Sequence, residues 1–177
     1  MSKTVLMIIA PENFRDEELF VPRDIFKAQG WVVDTVSTQV CEASGMLGGI
    51  EAVTKTIDTI DADQYDAAVV VGGMGSPAHL WNNETLHRVL KQVNANGKVI
   101  SAICLSGAVL AKAGLLTNRK ATVWEMPESV QIFEQNQVTY TSKPVTIDDR
   151  FITANGPDAA EAFGNAIVEK VNTLVSA

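Results

Sequence analysis

The chain has 177 residues, 46% hydrophobic and 20% charged, a composition that fits one globular domain with a core large enough to need no disulfides. Its net charge of −7 argues against nucleic acid and anionic membrane as partners, since both repel an acidic surface. The start Met1-Ser2-Lys3-Thr4 and the short apolar run after it lack the plan of a signal peptide, and no stretch is apolar for long enough to span a bilayer. A single domain over residues 1–177 is expected, in the cytoplasm, with Cys41 and Cys104 as free thiols.

In chain order, the β-branched run 4–10 reads as a first strand and 17–29 as a helix. Residues 32–37 read as a second strand and 67–71 as a third. A helix over 83–96 carries the apolar stripe Leu86, Val89, Leu90 and Val93, and Gly97 stops it. A fourth strand follows at 98–102, then a helix after Cys104 to about Ala113, closed by Gly114. Segments 144–147 and 151–153 flank Asp148-Asp149-Arg150 as a hairpin. The last helix is expected to start at Asp158 as N-cap, with Glu161 three residues on, and to bury Phe163, Ile167, Val171 and Leu174. No repeat or linker interrupts the pattern. Strand–helix alternation implies an α/β fold: a flavodoxin-like, doubly wound, mainly parallel sheet sandwiched by helices and extended by the late β-hairpin. A plain flavodoxin-like binding domain shares all of this.

Function in such sheets gathers at the carboxyl ends of the strands. The first strand runs into residues 11–18, the third into Gly72-Gly73-Met74-Gly75 and the fourth into Cys104. If these three strands are neighbours, the segments meet. Ala102, Ser106 and Gly107 are small residues where a sharp nucleophile elbow at Cys104 needs them, and the helix beginning at Leu105 turns free amides toward the thiol. The competing reading is an inert, packed cysteine. Cys41 has no such surroundings and reads as structural.

Glu18 is the acid expected beside the thiol. Leu19 and Phe20 draw it against the sheet, and Pro22 cannot donate to its carbonyl, so the helix should start late or kink there. Desolvation would keep its carboxyl protonated and able to donate to sulfur. Glu17 and Glu12 compete for the role, and plain helix capping is the other explanation. The Gly72 and Gly73 turn offers backbone amides to an oxyanion, or is simply a tight turn; it lacks dinucleotide and Walker spacing. Neither the two histidines nor the two cysteines stand at metal-ligand spacing, and no cofactor is expected.

Glu18-Leu19-Phe20-Val21-Pro22, Val70-Val71-Gly72-Gly73, Ala102-Ile103-Cys104, Ala113-Gly114-Leu115-Leu116 and Thr153-Ala154-Asn155-Gly156-Pro157 follow one another in an order that resembles the ThiJ/PfpI family, within the class I glutamine amidotransferase-like superfamily. The family includes the Parkinson-disease-associated protein deglycase. The resemblance spans essentially the whole chain. It implies a homodimer or larger homo-oligomer, with Cys104 as nucleophile, Glu18 as its partner, and a thiol that oxidises readily to a sulfinic acid. Two positions depart from the family pattern. Leu105 stands where protease-like and many glyoxalase-like members have histidine, so proteolysis is not expected. Trp124 stands where the deglycase branch has one. Leu105 then contributes only its amide, and Trp124, Met74 and Asn155 are expected to wall the pocket. His87 lies in a helix at a surface-like position, and His79 follows the glycine turn.

Three classes of function stay open. One is a cofactor-independent cysteine hydrolase or lyase acting on a small electrophile: a 2-oxoaldehyde, its glycated adduct, or an isonitrile as in isonitrile hydratases. The second is a redox sensor or stress protein working through Cys104. The third is a chaperone-like homo-oligomer.

Overall fold

The computed structural model describes residues 2–176, with side chains as far as residue 174. The first half of the chain forms β1 (Thr4–Ile8), β2 (Glu12–Phe14), α1 (Asp16–Ala28), β3 (Val32–Val36), β4 (Cys41–Gly45), β5 (Ile50–Val53), β6 (Ala67–Val70) and α2 (Gly75–His79). There follow α3 (Glu84–Ala95), β7 (Val99–Ile103), α4 (Gly107–Lys112), β8 (Lys120–Ala121), α5 (Pro127–Gln135) and β9 (Thr139–Tyr140). The chain closes with β10 (Val145–Asp148), β11 (Phe151–Ala154) and α6 (Ala160–Ser176).

Six strands form the central sheet in the order β10-β11-β7-β6-β1-β3. All neighbours are parallel except β10 and β11, which pair as an antiparallel hairpin at one edge. Strands β6, β7 and β11 are buried at every position, and β1 at all but its first. That is why they read as continuous apolar runs rather than as alternating ones. The edge strands β3 and β10 are mostly exposed or half-buried. Helices flank the sheet: α3 packs on β6 and β7, α6 packs on β7 and β11, and α1 lies against α6. The α/β sandwich and its late hairpin are as the sequence predicts, and the first, third and fourth predicted strands (β1, β6, β7) are indeed adjacent.

The helix stripe holds: Leu86, Val89, Leu90 and Val93 are buried in α3, and Asn83 Oδ1 caps it by accepting from the Leu86 amide at 2.9 Å. Two local expectations fail. Pro22 neither delays nor ends α1, which begins at Asp16 and runs through it. Gly164 of α6 explains the tolerance, because its bare backbone lets α6 close on Pro22; a Cβ at 164 would stand 3.2 Å from Pro22 Cα. Packing here outweighs one lost helix hydrogen bond. Asp158 does not cap the last helix. It sits exposed inside a 3₁₀ turn, Pro157–Ala159, and α6 starts at Ala160.

A second, three-stranded sheet in the order β2-β4-β5 has no counterpart in the sequence reading. Its hairpin turn is tied to the main body by Asp16, which is buried and accepts from the Leu47 amide at 2.8 Å and the Gly49 amide at 2.7 Å. α5 and the two-residue β8–β9 pair were also not predicted.

Candidate active site

Cys104 leaves β7 and opens a 3₁₀ turn, Cys104–Ser106, that leads into α4. Its φ is +61°, in the left-handed region that a side chain with a Cβ rarely adopts. The turn holds because its neighbours are small and bonded. Ser106 Oγ donates to the Val71 carbonyl at 2.6 Å and meets Ser76 Oγ at 2.8 Å. The Leu105 carbonyl accepts from Trp81 Nε1 at 2.8 Å, and the Cys104 carbonyl from the Trp124 amide at 3.2 Å. A Cβ at Gly107 would come within 3.1 Å of the Thr122 carbonyl. The strained conformation is thus over-determined by its surroundings, as is usual where a side chain is held for use.

Glu18 is fully buried. Its Oε1 accepts from the Gly72 amide at 3.0 Å, while Oε2 has no nitrogen or oxygen partner. Gly72 leaves room for both groups to meet: a Cβ there would lie 2.5 Å from Glu18 Oε1 and 2.6 Å from Cys104 Cβ. Burial pushes the Glu18 carboxyl up to about 8, against the opposing hydrogen bonds of the Cys104 thiol and the Gly72 amide. The competing acids are elsewhere engaged. Glu17 pairs with Arg15 at 2.7 Å, and Glu12 is exposed and meets His79 Nε2 at 3.2 Å.

Burial also pushes the Cys104 thiol up, and the neighbouring carboxylate adds to this, while the Leu105 and Gly73 amides at the sulfur pull the other way. The amides favour the thiolate, as expected of the start of a helix, but desolvation outweighs them. Thiol and carboxyl titrate as a pair: two charges in one buried site repel, so the pair carries one negative charge far more readily than two. Burial raises the thiol as well as the carboxyl, so below about pH 8 the free pair is largely uncharged, and a thiolate formed there would face the Gly73 and Leu105 amides.

A cavity of about 120 Å³ opens above the sulfur, lined by Arg15, Met46, Gly73, Met74, Cys104, Leu105, Trp124 and Pro157. Of the expected walls, Met74 and Trp124 are there. Asn155 is not; it lines a separate cleft of about 310 Å³ with Glu125 and Tyr140, beyond Trp124. Gly72 needs a similar correction. Its single N–H is taken by Glu18, so only Gly73 and Leu105 keep amides facing the sulfur. Arg15, Met46 and Pro157 were missed. Arg15 was findable, since it lies in the segment already assigned to the sheet's carboxyl edge. Met46 was not, because it arrives on the unpredicted β4–β5 turn. Neither histidine lines the cavity. His87 is partly buried, with Nε2 2.9 Å from the Trp81 carbonyl, and burial lowers its pKa. Among the described residues, no three His, Cys, Asp or Glu side chains are grouped to hold a metal ion, and no helix is long and apolar enough to cross a membrane.

The sequence profile of the DJ-1/PfpI family matches residues 3–170. The chain belongs to the DJ-1/PfpI family. An uncharacterized protein of Methanocaldococcus jannaschii is 46% identical, over 94% of this chain and 82% of that protein. Escherichia coli protein/nucleic acid deglycase 2 is 28% identical, over 92% of this chain and 94% of its own length. Among solved structures, the ThiJ/PfpI domain protein of Brachyspira murdochii superposes with a TM-score of 0.92 at 28% identity, over 97% of this chain and 98% of that one. The DJ-1/PfpI frame is thus shared along nearly the whole chain, including every strand that carries the site.

Proposed function

We propose that this DJ-1/PfpI protein is a cysteine-dependent enzyme of the glyoxalase/deglycase type, acting on 2-oxoaldehydes or their glycated adducts through Cys104 and Glu18. The observation that carries the reading is a strained cysteine beside a buried carboxyl whose ionisation burial disfavours, under a cavity of small-molecule size. The deglycase names of several relatives support it. The thiolate attacks the aldehyde carbon and Glu18 gives its proton to the new alkoxide, forming a hemithioacetal. The Gly73 and Leu105 amides stabilise the oxygen as it gains charge. Glu18, now a carboxylate, takes the proton from that carbon and returns it to the neighbouring one, while the hydroxyl proton passes from the first oxygen to the second, leaving a thioester of the 2-hydroxy acid. Water releases the acid and restores the thiol. No imidazole takes part.

The assay is lactate formation from methylglyoxal by the wild type and by Cys104→Ser. Loss in the variant supports the proposal, and equal rates sink it. A second reading, redox sensing, draws on the same protonated carboxyl, which can donate to an oxygen on sulfur. Mass spectrometry under mild peroxide tests it: a two-oxygen adduct on Cys104 in a protein without turnover favours the sensor. The protein also carries exposed Leu47 and Ile50 on the β4–β5 hairpin, apolar surface suited to burial in a homodimer. Light scattering that returns the 19.0 kDa of one chain at working concentration counts against assembly.

A further inference from the structure

Among the described residues, Arg15 is the one cation lining the cavity, whose other walls are apolar side chains, a glycine and the thiol itself. Its place is not accidental to the site. The Arg15 amide donates to the Gly72 carbonyl at 2.9 Å, and Gly72 in turn holds Glu18. Gly73 has φ +111° and no room for a side chain, because a Cβ would stand 2.5 Å from the Arg15 nitrogen. Arg15, Glu18 and the amides at the sulfur are therefore one rigid knot of backbone. Glu17 takes two of the guanidinium N–H groups, from Nε at 2.7 Å and Nη2 at 3.1 Å. A guanidinium has five such groups in a fixed plane, so three remain while the pair with Glu17 orients it.

The chemistry proposed above has a second site of developing charge that nothing assigned so far addresses. When the aldehyde-derived carbon gives up its proton, the C–H electron pair becomes the carbon–carbon double bond. The π electrons of the neighbouring ketone then move onto its oxygen. The result is an enediolate, whose new anionic oxygen sits one carbon farther from the sulfur than the oxygen held by Gly73 and Leu105. Return of the proton to that second carbon, with passage of the hydroxyl proton from the first oxygen to the second, completes an internal transfer: the first carbon is oxidised to the acyl level, the second is reduced to the alcohol, and no outside oxidant or reductant is used. An apolar wall cannot stabilise that oxygen, and both histidines are engaged elsewhere.

We propose that Arg15 is the electrophilic catalytic residue of this pocket, binding the 2-oxo oxygen of the substrate and holding it as it becomes the enediolate oxyanion. The inference rests on the proposed function for its substrate, but not for its electrostatics, and the two are tested apart. The first experiment needs no turnover. Alkylation of Cys104 by iodoacetate and by iodoacetamide is compared in wild type, Arg15→Lys and Arg15→Gln. A cation in the wall of the cavity above the sulfur favours the anionic reagent, so the iodoacetate-to-iodoacetamide rate ratio should fall roughly five- to tenfold in Arg15→Gln and much less in Arg15→Lys. A ratio unchanged in Arg15→Gln overturns the inference, whatever the enzyme does. The second uses methylglyoxal: kcat should drop about 10²-fold in Arg15→Gln with KM little changed, the signature of an interaction made in the transition state. A kcat equal to wild type, in a protein whose turnover requires Cys104, also overturns it. If the wild type forms no lactate, the proposed function fails while the alkylation ratio still decides the place of Arg15.

Discussion

The two cysteines of this chain sit in opposite surroundings. Cys41 begins β4 of the small sheet, half-buried, in ordinary strand backbone. Cys104 is more deeply buried, its backbone is left-handed, and a buried carboxyl is its neighbour. Access to solvent would choose Cys41 as the reactive thiol, whereas backbone strain, amide donors and a cavity choose Cys104. The difference teaches that the two thiols are set apart by the surroundings of the sulfur and not by its exposure, and the proposed function rests on those surroundings.

The largest expected effect separates the two at the level of chemistry. Cys104→Ser should abolish Cys-dependent lactate formation and Cys41→Ser should leave it unchanged, as measured by single-turnover and steady-state assays on both variants. Next in size is the pH dependence that only the Cys104 region should show. The Glu18 carboxyl has an ordinary value of 4.5 and is raised to about 8 in the folded protein, so the native state binds the proton more tightly than the unfolded chain. Its contribution to stability is complete below about pH 4.5 and is lost as pH rises toward 8. The full loss is at most about 5 kcal/mol, less whatever local relaxation recovers. Thermal melts from pH 5 to 8 should show the wild type losing stability relative to Glu18→Gln across that window; parallel curves would show that the carboxyl does not titrate as its burial demands.

Gly72→Ala forces a methyl between Glu18 and Cys104, and urea unfolding should report a loss of about 1–3 kcal/mol from overpacking. The smallest effect has the opposite sign. Cys104→Gly removes the conflict between a Cβ and φ +61°, so it should stabilise the protein by about 1 kcal/mol even as it removes the thiol. Cys41→Gly, in regular strand, should destabilise it. Equal signs for the two glycine variants would mean that the turn at Cys104 stores no strain.

Particular residues show how far the sequence could be read. Glu18 could be chosen over Glu17 and Glu12 only as a preference, from the apolar Leu19 and Phe20 beside it, and its full burial is what separates the three. Trp124 is expected in the pocket wall only through its place in the family pattern, and it lines the cavity. Asn155, two residues before another lining residue, Pro157, fell into the neighbouring cleft, because Gly156 lets the Trp124 ring close down between them; a Cβ there would come within 2.9 Å of that ring.

The sequence by itself determined the parallel sheet's strands and the turn that carries Cys104, and left the adjacency of the first, third and fourth strands as a condition that the fold meets. The strands and the turn follow from uninterrupted apolar runs, turn residues and small neighbours, all of which act over a few residues or through burial alone. Only the tertiary structure decided the rest of the site. The β4–β5 hairpin that brings in Met46 is held by Asp16, some thirty residues away in the chain, and its strands are too polar and too short to announce themselves. The use of the Gly72 amide by Glu18, the open face of Arg15 and the raised carboxyl depend on groups far apart in the chain meeting where water is excluded. No local pattern encodes that meeting, because desolvation and hydrogen-bond competition exist only once the chain has closed.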